Sequence, residues 1–146
     1  MRTPDVIVYS LYDKSASLNM EKFEILLKEE QLAELEIEKG KKVLCLYSTG
    51  CKYCKRTAIK LDVMIARHEL GKEDFVVAFW GKEKNITKFY NETQVVKLPT
   101  AIVPPDVFLS ATKGKQPIVV LLDNGKVMDI YRSITLDEDR IVDFLK

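Results

Sequence analysis

The sequence has little of what marks several specialised classes of protein. Its 146 residues include three cysteines and one histidine, too few for a disulfide-held scaffold or a repeated zinc-binding motif. No apolar run approaches the length of a membrane-spanning helix. The 23 basic and 22 acidic residues leave a formal charge of +1, which argues against a nucleic-acid-binding or membrane-surface protein. Residues 1–5 show no apolar segment and no cleavage site, so no signal peptide is predicted.

Two of the three cysteines lie in a CKYC motif at residues 51–54, which is the most informative feature of the chain. An apolar stretch at 43–47 precedes the motif, a Ser-Thr-Gly break follows that stretch, and a long amphipathic pattern comes next. This pattern predicts a strand, a tight turn and a helix that begins at Cys51. A thiol there faces the unpaired N–H groups and the positive end of the helix dipole, which favour the thiolate. Cys54 lies one turn deeper on the same face, within reach of a disulfide.

Hydrophobic periodicity and turn residues predict alternating strands and helices along the rest of the chain. The predicted strands are 6–12, 43–47, 75–80, 117–122 and 127–131, and the predicted helices begin at Asn19 and span 52–70, 85–93 and 106–112. A closing helix follows a capping box formed by Thr135 and Glu138. Asn124-Gly125 is a strong hairpin turn between the last two strands. The order predicts a single α/β domain over 1–146, with a parallel sheet wrapped by helices and an antiparallel edge.

The CKYC motif at the start of a helix, together with a later proline before a strand and an Asn-Gly hairpin, resembles the thioredoxin superfamily. The resemblance covers about residues 41–146 and makes residues 1–40 an added strand and helix. It implies a three-layer α/β/α sandwich with a mixed sheet, a C-terminal β-hairpin and a terminal helix. More narrowly, residues 46–55 and 108–117 are similar to the thioredoxin-like domains attached to DoxX-type membrane proteins of Bacteroidetes.

The resemblance also implies a cis-proline packed against the two sulfurs, and two prolines compete for that position. Pro99, in Leu98-Pro99-Thr100, looks like the family motif, but only four residues separate it from the next proline pair. Pro117 leads an apolar run directly into the hairpin, so Pro117 is the predicted cis-proline. The backbone of Gln116 would then lie beside the sulfurs, where an extended substrate peptide can pair with it. The alternative is a trans proline that only starts an edge strand.

The chain departs from thioredoxins at three positions in or near the motif. Where thioredoxins have a buried carboxylate that helps to move protons from the second thiol, this sequence has Cys45, which we interpret as an inert core residue. Lys52 and Tyr53 replace the Gly-Pro between the cysteines. A cation at Lys52 stabilises the thiolate of Cys51, so we expect a disulfide that is more oxidising than that of thioredoxin.

The resemblance implies thiol–disulfide exchange, with Cys51 and Cys54 as the catalytic pair. Cys51 would attack a substrate disulfide, and Cys54 would resolve the mixed disulfide. Gln116, Pro117, Tyr53 and Lys52 are the candidate substrate contacts. No cofactor is expected beyond the redox-active disulfide itself, and the direction of the reaction stays open.

Three other interpretations compete with this one. A structural zinc site needs four ligands, and the motif supplies two. The one histidine, His68, is too far away to be a third ligand, because it lies over 20 Å along the helix from Cys54 at about 1.5 Å per residue. A non-catalytic binding or accessory module of a membrane redox complex could use Tyr53 and the lysines around it for docking. A peroxidase would need its cysteine in a different setting.

The expected partners are protein thiols and disulfides and an upstream redox partner protein, with no nucleic acid. A membrane-protein partner is possible by the narrower resemblance, and a monomer is the default. The same resemblance implies a periplasmic or envelope location facing outside the cytoplasm, with the cytoplasm as the alternative.

Overall fold

The computed structural model describes residues 18–146, so the strand predicted at 6–12 lies outside the described residues. The helices and strands are α1 Met20–Leu27, α2 Glu30–Ala33, β1 Lys41–Ser48, α3 Lys52–His68, β2 Phe75–Trp80, α4 Glu83–Thr93, β3 Thr100–Ile102, α5 Pro105–Thr112, β4 Ile118–Asp123, β5 Lys126–Tyr131 and α6 Glu138–Leu145. Short 3₁₀ helices cover Lys72–Asp74 and Ser133–Thr135.

The strands form one mixed sheet in the order β3-β2-β1-β4-β5. β1, β2 and β3 are parallel, while β4 runs antiparallel to β1 and β5 runs antiparallel to β4. β1 is therefore the central strand, and all six of its residues from Val43 to Ser48 are buried. This confirms the predicted mixed α/β fold with an antiparallel C-terminal hairpin.

Helices cover both faces of the sheet and give the predicted three layers. One core cluster packs α1, α2 and α5 against one face, around Phe23, Leu46 and Phe108. The second packs α3, α4 and α6 against the other face, around Tyr47 and Met64. Because each strand alternates its side chains between the faces, β1 contributes Cys45 and Tyr47 to the second cluster and Leu44 and Leu46 to the first. None of the helices within 18–146 is long and apolar enough to cross a membrane.

The structure moves two predicted helix boundaries by two residues and adds a strand that was not predicted. α3 ends at His68, two residues early, because Glu69 adopts a left-handed conformation that terminates the helix. α4 begins at Glu83 rather than at residue 85. No strand was predicted directly after Pro99, but Thr100–Ile102 pairs in parallel with β2 as the edge strand.

The predicted capping box at the final helix was also wrong. Asp137 caps α6, because its carboxylate accepts a hydrogen bond from the backbone N–H of Arg140. The hydroxyl of Thr135 instead accepts a hydrogen bond from the backbone N–H of Arg132, at 2.8 Å, inside the preceding 3₁₀ turn. Both Thr135 and Asp137 have cap-forming side chains, so the spacing alone did not separate them.

Candidate functional site

Cys51 caps the amino-terminal end of α3 with its own sulfur. Its backbone is extended, and its Sγ accepts a hydrogen bond from the backbone N–H of Cys54 at 3.1 Å. The side chain is partly exposed. The placement follows from the sequence, because β1 ends at Ser48 and the Thr49-Gly50 turn leads directly into the helix. Cys51 thus combines access to solvent with a direct hydrogen bond from the helix end.

Cys54 lies one turn further along α3 and is fully buried. Burial raises the pKa of the Cys54 thiol well above its usual range, and its hydrogen bond with the Cys51 thiol raises the pKa further, while hydrogen bonds with Ser48 oppose these effects. Cys51 and Cys54 are both free thiols in this structure. The exposed and the buried thiol therefore lie in opposite environments, as the sequence predicted.

Cys45 is completely buried in the middle of β1, which confirms the prediction of a core residue. Burial raises the pKa of its thiol to about 12, although a hydrogen bond with the Tyr47 hydroxyl lowers it in part. At neutral pH this side chain stays an un-ionised thiol, so it does not supply the charge that a buried carboxylate would place on this face of the sheet.

The peptide bond between Gln116 and Pro117 is cis, as the sequence pattern predicted. Pro117 is buried and Gln116 is partly exposed. The Sγ of Cys51 lies 3.8 Å from the carbonyl oxygen of Gln116, so the thiol can donate a hydrogen bond to it. The structure thus brings Cys51, Gln116 and Pro117 together from positions far apart in the sequence. Pro99 instead precedes the edge strand β3.

Lys52 and Tyr53 both lie on the exposed side of α3, next to Cys51. Tyr53 is 54% exposed, and the guanidinium of Arg56 lies 5.6 Å from the centre of its ring. Among the described residues, no carboxylate pairs with Lys52 or Arg56. Lys55, by contrast, forms an ion pair with Glu92 of α4.

His68 lies at the other end of α3 from the two catalytic candidates. Its Nε2 lies 2.8 Å from a carboxylate oxygen of Glu138, and the side chain is partly buried. His68 thus helps to join α3 to α6. Within residues 18–146, no group of three or more His, Cys, Asp or Glu side chains is placed to hold a metal ion.

Two contacts at the site were not predicted from the sequence. Ser48, taken only as the start of a turn, hydrogen-bonds with Cys54. Thr57, one turn after Cys54, is buried and donates a hydrogen bond from its hydroxyl to that of Ser133 at 2.9 Å. Thr57 is a polar residue on the apolar face of α3, and this was the only sequence signal for its contact, because a buried polar group needs a hydrogen-bond partner. Nothing in the sequence identifies Ser133 as that partner.

The sheet order, the helices on both faces, the CxxC motif capping α3 and the cis-proline opposite it define the thioredoxin-like fold. The sequence matches no protein-family model and no curated protein. Among solved structures, the chain is similar to the thioredoxin domain of a thiol-disulfide oxidoreductase from Bacteroides vulgatus, at a TM-score of 0.57 and 15% identity, over 76% of this chain and 83% of that one.

Two further solved structures share the fold. A thiol:disulfide interchange protein from Bacteroides sp. gives a TM-score of 0.57 at 14% identity, over 76% of each chain. A secreted thiol-disulfide isomerase from Corynebacterium glutamicum gives 0.53 at 12% identity, over 75% of this chain and 71% of that one. These likenesses show the fold.

Proposed function

We propose that this protein is a thiol–disulfide oxidoreductase that exchanges the Cys51–Cys54 pair with protein substrates. The observation that carries the proposal is the pairing of a partly exposed Cys51 with a buried Cys54 one helical turn away. The exposed sulfur accepts a hydrogen bond from a backbone N–H at the helix end, while the second sulfur is shielded from other reactants.

The proposed reaction has two steps. The thiolate of Cys51 attacks one sulfur of a substrate disulfide, the substrate S–S bond breaks, and the other substrate sulfur leaves as a thiolate that takes up a proton. Cys54 then loses its proton and attacks Cys51, so that the Cys51–Cys54 disulfide forms and the second substrate thiol is released. Two electrons pass from the dithiol to the substrate, and the reverse sequence oxidises a substrate dithiol.

Gln116 and Pro117 are the proposed substrate contacts opposite Cys51. The carbonyl oxygen of Gln116 faces the sulfur, and Pro117 has no N–H, so an extended peptide can pair with Gln116 alone at this point. Lys52 and Tyr53 contribute the exposed surface on the other side of Cys51. The reaction needs no cofactor beyond the cysteine pair.

The decisive experiment is a trapping assay with the Cys54→Ala variant. With a protein disulfide as substrate, this variant should accumulate a mixed disulfide at Cys51, visible as an adduct on a non-reducing gel and located by mass spectrometry. Cys51→Ala in the same background should form none, and Cys45→Ala should form as much as its parent. Absence of any adduct across several disulfide proteins would contradict the proposal and leave a non-catalytic binding module of a redox complex.

The proposed location is outside the cytoplasm, in the periplasm or cell envelope, with the cytoplasm as the alternative. One solved structure with the same fold is described as secreted, and a dithiol that works on protein disulfides fits a compartment where such disulfides persist. An upstream redox partner must then restore the dithiol or the disulfide. A membrane-protein partner remains a prediction of the narrower sequence resemblance.

A further inference from the structure

The outer side of α3 carries cations where a helix ordinarily favours acids. Lys52, Lys55 and Arg56 lie in the first two turns, and the first turn has no acidic residue. The positive end of the helix dipole makes a cation in the first turn unfavourable. Only Lys55 is compensated by an acidic partner, Glu92, among the described residues.

These cations lie beside exposed apolar side chains. The Arg56 guanidinium stacks near the ring of Tyr53, and Lys60, one turn on, donates a hydrogen bond from its ammonium to the carbonyl oxygen of Ser133. That contact sets the next residue, Ile134, beside α3 with 87% of its surface exposed. An exposed apolar side chain therefore lies close to Lys60 on this side of α3.

A groove continues this surface along α3. Ile59 and Val63 are 44% and 47% exposed, and together with Leu136 they line a groove of about 290 Å³. The groove also borders Lys60 and the ion pair between Arg67 and Glu138. Because Tyr53, Lys60 and Arg67 recur at about helical spacing, the apolar and basic groups share one side of the helix. This side of α3 begins next to Cys51. A substrate protein whose cysteine reaches Cys51 can therefore also lie along this side of the helix.

We propose that Lys52, Arg56 and Lys60, with Tyr53 and Ile134, form a docking surface for an acidic segment of the substrate protein that carries apolar residues beside its cysteine. The three cations of this surface have no carboxylate partner among the described residues. An acidic segment is therefore the expected partner, because its carboxylates would neutralise these cations. The inference rests on the proposed exchange at Cys51 and names the class of protein that this exchange selects.

The test uses three peptides that differ only beside one cysteine, which is blocked as a mixed disulfide with thionitrobenzoate. The flanking residues are Asp and Leu, Asn and Leu, or Lys and Leu. In the Cys54→Ala background, Cys51 attacks the peptide sulfur, the S–S bond breaks, and the yellow thionitrobenzoate anion leaves. The second-order rate constant at low ionic strength should be about tenfold higher for the Asp peptide than for the Asn peptide, and lowest for the Lys peptide.

The variants separate the docking surface from the general charge of the protein. Arg56→Gln with Lys60→Gln should bring the ratio of the Asp and Asn rates close to one, as should high salt. The matched control is Lys72→Gln with Lys126→Gln, which removes two exposed cations at the opposite end of the sheet and should leave the ratio as it is. A fourth peptide, with Asp and Ser beside the cysteine, measures the apolar contribution, and Ile134→Ser should reduce the rate advantage of the Asp and Leu peptide over it.

The possible outcomes distinguish the two proposals. Release of thionitrobenzoate from none of the peptides would overturn the exchange reaction itself. Release at equal rates from all three would overturn only the docking surface. The docking surface would also be overturned if the three rates were equal and the protein sedimented with anionic phosphatidylglycerol vesicles. Loss of that sedimentation in the Arg56→Gln and Lys60→Gln variant would show that the cations bind a membrane surface.

Discussion

The Sγ of Cys51 lies 3.8 Å from the carbonyl oxygen of Gln116. In the reduced protein the thiol can donate to this oxygen, but a mixed disulfide at Cys51 has no proton to give. The carbonyl oxygen of Gln116, a partly exposed residue, can then accept a hydrogen bond from another donor. An extended substrate supplies a donor in the form of its own backbone N–H.

A substrate peptide that lacks this N–H should therefore react more slowly. Methylation of the backbone nitrogen at the residue that pairs with Gln116 should lower the rate of mixed-disulfide formation about fivefold, since one hydrogen bond contributes about 1 kcal/mol. The measurement scans single N-methyl groups along a peptide disulfide in the Cys54→Ala variant. One position near the cysteine should be sensitive, and distant positions should serve as controls. A uniform response along the peptide would contradict the pairing.

The second step of the exchange should be strongly dependent on pH. Burial is the largest cause of the raised pKa of Cys54, and it persists after Cys51 enters a mixed disulfide, although the hydrogen bond with the Cys51 thiol is then lost. Below its pKa, the thiolate fraction of Cys54 rises about tenfold per pH unit, so the rate of resolution should rise in the same proportion between pH 6 and 8.

Acid quenching at set times measures this step through the lifetime of the mixed disulfide in the wild-type protein. The lifetime should be longest at pH 6. In Cys54→Ala the adduct should persist at every pH, which shows that any decay in the wild type comes from Cys54. A lifetime in the wild type that is constant from pH 6 to 8 would mean that another step limits the reaction.

Much of the fold could be predicted because local signals agree with the tertiary structure. Asn124-Gly125 fixes the hairpin, and the amphipathic pattern after Cys51 fixes α3. The boundaries were less predictable where two residues offer the same chemistry, as at Thr135 and Asp137. β3 was missed because its three residues are defined by pairing with β2, which is a long-range contact with no local pattern.

The candidate site could be predicted in its parts but not in its contacts. The CxxC motif and Pro117 have sequence patterns, so their proximity was expected. The contact of Thr57 with Ser133 joins two distant segments through hydroxyl groups, and serine and threonine are too common for such a pair to be recognised. The exposure of Ile134 was likewise unpredictable, because an isoleucine followed by a leucine two residues later is equally compatible with a buried turn.

Lys52 should make the Cys51–Cys54 disulfide more oxidising. Its ammonium is exposed on α3 directly after Cys51, and a cation stabilises the thiolate of the reduced form. We therefore expect a reduction potential above the value of about −270 mV that is typical of thioredoxin. Lys52→Glu should lower the potential by about 30 mV, which corresponds to a tenfold change in the exchange equilibrium.

Equilibration with glutathione or dithiothreitol buffers at pH 7 measures both potentials. Lys72→Glu introduces the same charge change at the other end of the sheet and should shift the potential little, because charges beyond a Debye length are screened. A wild-type potential at or below that of thioredoxin would contradict this prediction.

Cys45 should make the protein less stable in alkaline solution. Its folded pKa of about 12 lies above the ordinary value of 9.0, so the unfolded chain loses this proton first as the pH rises. The native state then holds more protons than the unfolded state, and the free energy of unfolding falls with pH above about 9. This single group should remove about 2 kcal/mol between pH 8 and pH 10.5.

Urea unfolding of the wild type and of Cys45→Ala at a series of pH values separates this contribution from all others. The alanine variant should be less stable at pH 7, because a small cavity replaces a fully buried sulfur. Its stability should nevertheless fall less steeply above pH 9, so that the two curves converge by about pH 10.5. Parallel curves would mean that the Cys45 thiol ionises as readily in the folded protein as in the unfolded chain. That result would be incompatible with a dry core on this face of the sheet, next to Cys54.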